Sequence, residues 1–256
     1  MRRVLVAVTL VMAATAARAA AQAPVGGLTY REVKYVRDSE EYATIARATY
    51  RAAARAVEAA STRVAHGQSW AVMLDIDETT LDNSAYEMER RVYQQPHDET
   101  VFAAWIARRE SGVVPGVQDF IATVRRLGGR VVWNSGRLAP ESTDTRANLE
   151  RWGLWNPADR LCLALVDSGA FSRHQLKADT TYTKAIRRAE VVNGNGACSW
   201  SERVSILAFI GDQLGDFPQR GENDADAGRD EAFGTRYFLL PDPMYGAWER
   251  GVTRRR

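Results

Sequence analysis

Residues 70–83, Trp70-Ala-Val-Met-Leu-Asp-Ile-Asp-Glu-Thr-Thr-Leu-Asp-Asn83, decide the reading of this chain. Trp70 to Ile76 form an apolar run with a turn-rich, acidic end, the pattern of a buried strand. In extended chain Asp75 and Asp77 project to the same side, and Glu78 faces elsewhere. A lone D-x-D is weak, because surface turns contain such pairs by chance. D-x-D-E-T directly after an apolar strand is far more specific.

A second acidic cluster repeats the arrangement. Val204 to Ile210 read as a buried strand, and Gly211-Asp212-Gln213-Leu214-Gly215-Asp216 follow it. In a doubly wound parallel sheet, ligands bind beyond the carboxyl ends of the strands, where strand order reverses. Two such strands side by side would gather Asp75, Asp77, Asp212 and Asp216 in one crevice. Carboxylates that close repel, and a hard divalent cation with oxygen ligands resolves the repulsion. The first pair suits phosphoryl chemistry. One Asp can attack phosphorus, and the other can protonate the leaving oxygen and then deprotonate a water.

Two further parts are expected. Asn134-Ser135-Gly136-Arg137 follow the apolar run Arg130 to Trp133. Ser135 offers a hydroxyl, and Gly136 lets the backbone approach a ligand closely. A cation should hold the transferring group. The chain has only three Lys, and Lys184 opens a helix with Thr183 as its cap; Lys177 is the other candidate, and Lys34 lies before the sheet.

The remaining pattern supports a parallel sheet wrapped by helices. Asp38 to Val64 read as one long helix, Asp98 to Glu110 as a second, and the stretch after Pro115 as a third that Gly128-Gly129 stop. Glu141–Trp152 and Thr183–Val192 read as helices, and Leu161–Val166 and Arg236–Leu240 as strands. The expected fold class is α/β: a three-layer, Rossmann-like parallel core with a small, mainly helical cap. Residues 22–256 form one domain in this reading, with the core sheet at about 68–82 and 114–242. Helical accessory parts cover about 30–66, 83–113 and the C-terminal segment.

The N-terminus reads as a signal peptide. Arg2 and Arg3 precede the apolar Val4–Met12, and small residues suit cleavage near Ala19–Gln22. The apolar run is too short to span a bilayer, and no later run reaches 18 apolar residues. Export to a periplasm or the exterior is expected, with no transmembrane span after cleavage. No Cys stands near the cleavage site for lipid attachment. The whole chain carries 34 Lys and Arg against 32 Asp and Glu, a net +2. Without the first 21 residues the balance is slightly negative, which gives no electrostatic reason to bind a nucleic acid polymer. Cys162 and Cys198 are the only cysteines, which excludes a disulfide scaffold and a Cys-rich zinc site; they could pair in an oxidising compartment or stay as buried thiols. The oligomeric state is not legible.

Taken in order, DIDETTLDNS (75–84), NSGR (134–137), Lys184-x-x-Arg187 and GDQLGDF (211–217) resemble the four motifs of haloacid dehalogenase superfamily phosphatases. More narrowly they are similar to the class C bacterial acid phosphatases. The resemblance runs from about Tyr42 to Trp248 and includes Pro243-Met244-Tyr245-Gly246-Ala247-Trp248. It implies an exported, Mg²⁺-dependent phosphomonoesterase acting through an aspartyl-phosphate. Asp75 would be the nucleophile and a Mg²⁺ ligand. Asp77 would be the general acid/base, touching the ion through its backbone carbonyl. Ser135, Gly136 and Lys184 would hold phosphate. Asp212 would ligate the ion, and Asp216 would complete the metal site or orient Lys184. Tyr86, Phe102 and Tyr245 match the aromatics that enclose the leaving group, which suits a nucleoside monophosphate or an aryl phosphate; Phe102 equally suits helix packing. The chain departs from the family's usual Ser/Thr-Asn-Arg by having Gly136, which loses one amide donor. It also lacks the lipid-attachment Cys of the lipoprotein members. Phosphotransfer on the same fold, or a non-catalytic phosphate- or nucleotide-binding surface protein, are the alternatives.

Overall fold

The computed structural model describes residues 30–169 and 177–250. The expected signal peptide and its cleavage site lie outside the described residues. Among the described residues no helix is long and apolar enough to cross a membrane.

Five parallel strands form the central sheet in the order β5-β4-β1-β6-β7. They are β1 (Trp70–Leu74), β4 (Arg130–Leu138), β5 (Arg160–Ala164), β6 (Ser205–Gly211) and β7 (Tyr237–Leu239). β1 is central and every one of its residues is buried. Its side chains alternate between two apolar layers: Trp70, Val72 and Leu74 enter one, Ala71 and Met73 the other. The first layer is closed by α2 (Glu40–Ser61) and α5 (Val117–Arg126), through Tyr50, Ala53 and Val57 and through Phe120, Ile121 and Val124. The second layer takes Val191 from α7 (Lys184–Asn193) together with Cys162, Cys198 and Phe217. The α/β, three-layer expectation therefore holds.

The element boundaries differ in instructive places. The long helix expected over Asp38–Val64 is α2, which spans Glu40–Ser61, and a shorter helix, α1 (Arg31–Asp38), precedes it. Ser39 separates them in an extended conformation, and its hydroxyl accepts the Tyr42 N–H at 3.1 Å, which caps α2. The polar, aromatic stretch after residue 83, expected only as part of a helical accessory region, contains α3 (Ser84–Val92), whose bounds no apolar period marks. Its buried face is short and made of Ser84, Tyr86 and Glu87, so no apolar stripe announces it. α4 (Glu99–Arg108) is capped by Asp98, whose carboxylate accepts the N–H groups of Thr100 and Val101. α3 and α4 form a helical excursion between β2 (Leu81–Asp82) and β3 (Gly112–Val113), which pair antiparallel. The excursion thus leaves and rejoins the core just beyond the carboxyl end of β1. α6 (Ser142–Arg151) follows β4.

Cys162 and Cys198 are both free, buried thiols. The Cys162 Sγ lies 3.9 Å from the Cys198 carbonyl oxygen, so the two residues meet across the layer beneath β5.

Candidate active site

β1 and β6 end side by side, with Leu74 in register with Ile210. Both acidic clusters therefore emerge at one edge of the sheet, as the strand-end argument requires. After β1 the chain folds into a tight loop. Thr80 and Leu81 both donate their N–H to the Ile76 carbonyl, and Glu78 donates to Leu81. Glu78 takes a left-handed conformation with φ of 55° to allow this. From the side, the Tyr50 hydroxyl of α2 donates to the Thr79 carbonyl at 2.5 Å. From within, the Thr80 hydroxyl donates to the Asp75 carbonyl at 2.7 Å. The loop is thus fixed before any ligand arrives.

Asp75, Asp212 and Asp216 are buried and each offers an oxygen within 4.8 Å of the others. Thr79 Oγ1 donates to Asp212 Oδ1 at 2.8 Å, and Gln213 Nε2 donates to Asp212 Oδ2 at 2.9 Å. Lys184 Nζ stands 2.6 Å from Asp216 Oδ1 and 2.8 Å from Asp75 Oδ1. The Lys184 ammonium thus bridges the two carboxylates and is the group that faces the buried Asp75 Oδ1. Close packing permits this cluster: a Cβ on Gly211 would fall 2.3 Å from the Asp216 Cβ.

The electrostatics follow from burial of like charges. Burial pushes the Asp75 carboxyl well above the usual carboxylate range, and Asp216, Asp212 and Asp77 add to this against the opposing pull of Lys184. Burial, with Asp216 and Asp242, pushes Asp212 up to about 7. Burial works against the Lys184 charge, but Asp216 and Asp75 outweigh it and raise its pKa, so the ammonium stays charged. A set of three buried carboxylates, all oxygen, with ligand atoms within 4.8 Å of one another, fits a hard divalent cation such as Mg²⁺.

The Asp77 carboxylate leaves this cluster and turns to another partner. Arg137 grips it, with Nε 3.0 Å and Nη2 2.7 Å from Oδ1. Asn83 Nδ2 donates to the same oxygen at 2.8 Å. Asn83 is itself held through Oδ1 by Trp105 Nε1 and the Ser111 hydroxyl, at 2.9 and 2.7 Å.

Arg137 stands at an irregularity of β4, whose register with β5 shifts between Asn134 and Leu138. Ser135 is fully buried. Its hydroxyl accepts the Arg137 N–H at 3.1 Å and reaches Asp77 Oδ2 at 3.4 Å. Gly136 faces the cavity, and a Cβ there would meet nothing within 4 Å, so its smallness leaves room on the ligand side. Arg187 ties α7 to this strand end, donating to Asn134 Oδ1 at 2.8 Å and to the Ser135 carbonyl at 3.0 Å. Asn134 Nδ2 in turn donates to the Lys184 carbonyl at 3.1 Å, which holds the start of α7 to this strand end. Lys177 is exposed, sits beside the short bridge of Val166 with Ala178, and does not line the cavity. Lys34 is exposed on α1.

Above the acids opens a cavity of about 430 Å³ whose wall includes Asp75, Asp77, Lys184 and Asp212. Tyr86 from α3, Phe102 from α4 and Tyr245 from the C-terminal segment line it as well. Tyr86 and Phe102 have ring centroids 5.1 Å apart, and Phe102 also lies 5.9 Å from the Arg137 guanidinium. Phe102 thus both packs beside Tyr86 and lines the cavity. Tyr245 donates its hydroxyl to Glu78 Oε2. Ser135 and Asp216 lie behind the wall rather than on it.

Five residues that build this site escaped sequence reasoning as functional groups: Glu78, Thr79, Asn83, Arg137 and Gln213. All five lie inside the motif strings, but a string assigns no partner to a side chain.

Against known proteins, a family model described as HAD superfamily, subfamily IIIB (acid phosphatase) matches residues 5–248. The Stem 31 kDa glycoprotein of Glycine max is 26% identical over 174 residues, 66% of this chain and 57% of that protein, so the match spans little more than half of its length. The class C acid phosphatase from Bacillus anthracis superposes with a TM-score of 0.67 at 24% identity, covering 86% of this chain and 85% of that one. A structure of the Bacillus anthracis class C acid phosphatase with tungstate bound gives 0.65 at 25% identity with the same coverage.

Proposed function

From the premise that this chain belongs to the HAD superfamily, subfamily IIIB, the acid phosphatases, we propose that it hydrolyses phosphate monoesters through a phosphorylated Asp75. One observation carries the reading: Asp75 is buried at the floor of a cavity, paired with Lys184 at 2.8 Å and flanked by two more carboxylates. The carboxylate lines the cavity, and the neighbours supply charge where the phosphoryl group would sit. Tungstate, a tetrahedral oxyanion, is bound by one of the similar structures, which agrees with a phosphate-shaped site.

The chain's own groups divide the work. A carboxylate oxygen of Asp75 attacks phosphorus, and the bond from phosphorus to the leaving oxygen breaks. Asp77, steadied by Arg137 and Asn83, gives that oxygen its proton. Asp77 then takes a proton from the water that attacks the aspartyl-phosphate, which releases phosphate and restores Asp75. Lys184 and Gly136, on the cavity wall, would hold the phosphoryl oxygens, with the Ser135 hydroxyl close behind them. Asp75, Asp212 and Asp216, with the Asp77 carbonyl, would hold Mg²⁺, which supplies positive charge to the phosphoryl group when bound. The aromatic wall of Tyr86, Phe102 and Tyr245 suits a flat leaving group, either aryl or nucleoside. We further propose export, with cleavage near Ala19–Gln22.

The test is phosphate release from an aryl phosphate and a nucleoside 5′-monophosphate by residues 22–256, stripped with EDTA and resupplied with Mg²⁺. Activity lost on stripping and restored by Mg²⁺ is expected. A folded protein inactive across pH and divalent metals overturns the reading; transfer to added alcohols would then test phosphotransfer.

A further inference from the structure

Gln213 joins the two halves of the site. Its Nε2 donates to Asp212 Oδ2 at 2.9 Å and reaches the Tyr245 carbonyl at 3.4 Å. Its Oε1 accepts the Ala247 N–H at 3.0 Å. Both ends of one amide are therefore engaged, which fixes its orientation. Gly246 is pressed against that amide. A Cβ on Gly246 would fall 2.6 Å from both Nε2 and Oε1, and its φ of +150° is one that side-chain-bearing residues rarely adopt. The Gln213 backbone also donates to Asp216 Oδ2 at 2.8 Å. The same residue thus touches two carboxylates of the acidic cluster and the segment that carries the Tyr245 wall.

We propose that Gln213 is a positioning residue that couples divalent-cation binding at the Asp75, Asp212 and Asp216 cluster to binding of the flat leaving group against Tyr245. The identity of both ligands rests on the reading proposed above. The physical basis is shared ordering. A cation that fixes Asp212 fixes the acceptor of the Gln213 amide. The amide then holds Tyr245–Ala247, so an aromatic ligand loses less freedom of the wall on binding. Linkage makes the effect reciprocal: the factor by which the cation tightens the aromatic ligand equals the factor by which that ligand tightens the cation. A residue serving stability alone would move the melting temperature without creating this factor.

The experiment is a thermodynamic cycle by calorimetry on residues 22–256, with Mg²⁺ and adenosine as probes. Adenosine affinity is measured with saturating Mg²⁺ and in EDTA, and Mg²⁺ affinity with and without adenosine. The wild type is expected to give equal factors of about fivefold or more. Gln213→Leu removes both hydrogen-bonding ends, and Gln213→Glu keeps an acceptor for Ala247 but loses the donor to Asp212. Both are expected to reduce the factor to about one, and in the Leu variant Mg²⁺ affinity is expected to fall by about tenfold. If the Leu variant does not fold, the Glu variant decides. A wild-type factor of one, no adenosine binding at saturating Mg²⁺, or a factor unchanged in a folded variant overturns the proposal. Phosphate release by the same wild-type sample separates the two ideas. Hydrolysis without coupling defeats only the role of Gln213, and absence of hydrolysis defeats the phosphatase reading.

Discussion

The Arg137 guanidinium closes on the Asp77 carboxylate with its own side chain wholly enclosed, while Asp77 keeps 14% of its side-chain surface exposed at the cavity. The fixed partner is thus the arginine, and the accessible one is the acid proposed to move protons. Breaking a largely buried pair of this kind costs about 3–5 kcal/mol when one charge is left alone.

Arg137→Lys keeps the charge and loses the fork. It is expected to lower kcat by about 10²-fold for alkyl and nucleoside phosphates, whose leaving oxygen needs a proton. For nitrophenyl phosphate, whose leaving group needs none, the loss should be much smaller. Equal losses on both substrates would show that Arg137 serves the fold and not the proton transfer.

Asp75→Asn should abolish turnover, with a loss of about 10⁴-fold or more, while circular dichroism stays native. The substitution also removes a buried charge from a crowded cluster, so the metal-free variant should melt no lower than metal-free wild type. A folded variant with a near-normal rate would refute the nucleophile assignment.

Tyr245→Ala should reduce kcat/KM on nucleoside monophosphates by about fivefold, the scale of one aromatic contact. Small alkyl phosphates should be nearly unaffected. A uniform loss on both would sink the idea of a stacking wall.

Mg²⁺ should stabilise the EDTA-stripped protein. At about 100 times its dissociation constant a bound ligand contributes about 2.7 kcal/mol, or roughly 5 to 10 °C in Tm for a chain of this size. Asp212→Asn should abolish the Mg²⁺-induced shift. A shift that survives this variant would place the ion elsewhere.

Glu141 predicts a pH dependence that does not involve the metal. It is buried, its Oε2 accepts the Leu138 N–H at 2.7 Å, and its Oε1 has no donor. Burial pushes its pKa up to about 7, against 4.5 for an ordinary glutamate. Above about pH 4.5 the unfolded chain releases this proton and the folded protein keeps it, so the residue subtracts stability as pH rises to about 7. Glu141→Gln should therefore raise stability at pH 8 by about 2–3 kcal/mol and have no effect at pH 4. Denaturant titrations at the two pH values check this, and an equal effect at both would exclude a charge origin.

The sequence by itself determined the class of fold and the floor of the site. Buried strands declare themselves as uninterrupted apolar runs, and Trp70–Leu74 and Ser205–Gly211 carry their acids directly behind them. Alternation with helices requires a parallel sheet, and a parallel sheet brings such strand ends to one edge. The bounds of helix α3 stayed hidden because the face it buries is polar and aromatic, giving no period to read. The long helix, by contrast, was legible to within a few residues, because its apolar spacing persists over Glu40–Ser61.

Only the tertiary structure decided which partner each polar group meets. Asp77 could have joined the other three acids, but Arg137, brought in by the irregular end of β4, draws its carboxylate away. Gln213 lies 32 residues before Tyr245, and their contact exists only because the C-terminal segment returns across the strand ends. Periodicity records which side of an element faces the core. Hydrogen bonds between distant residues depend on how the elements pack, and no local pattern encodes them.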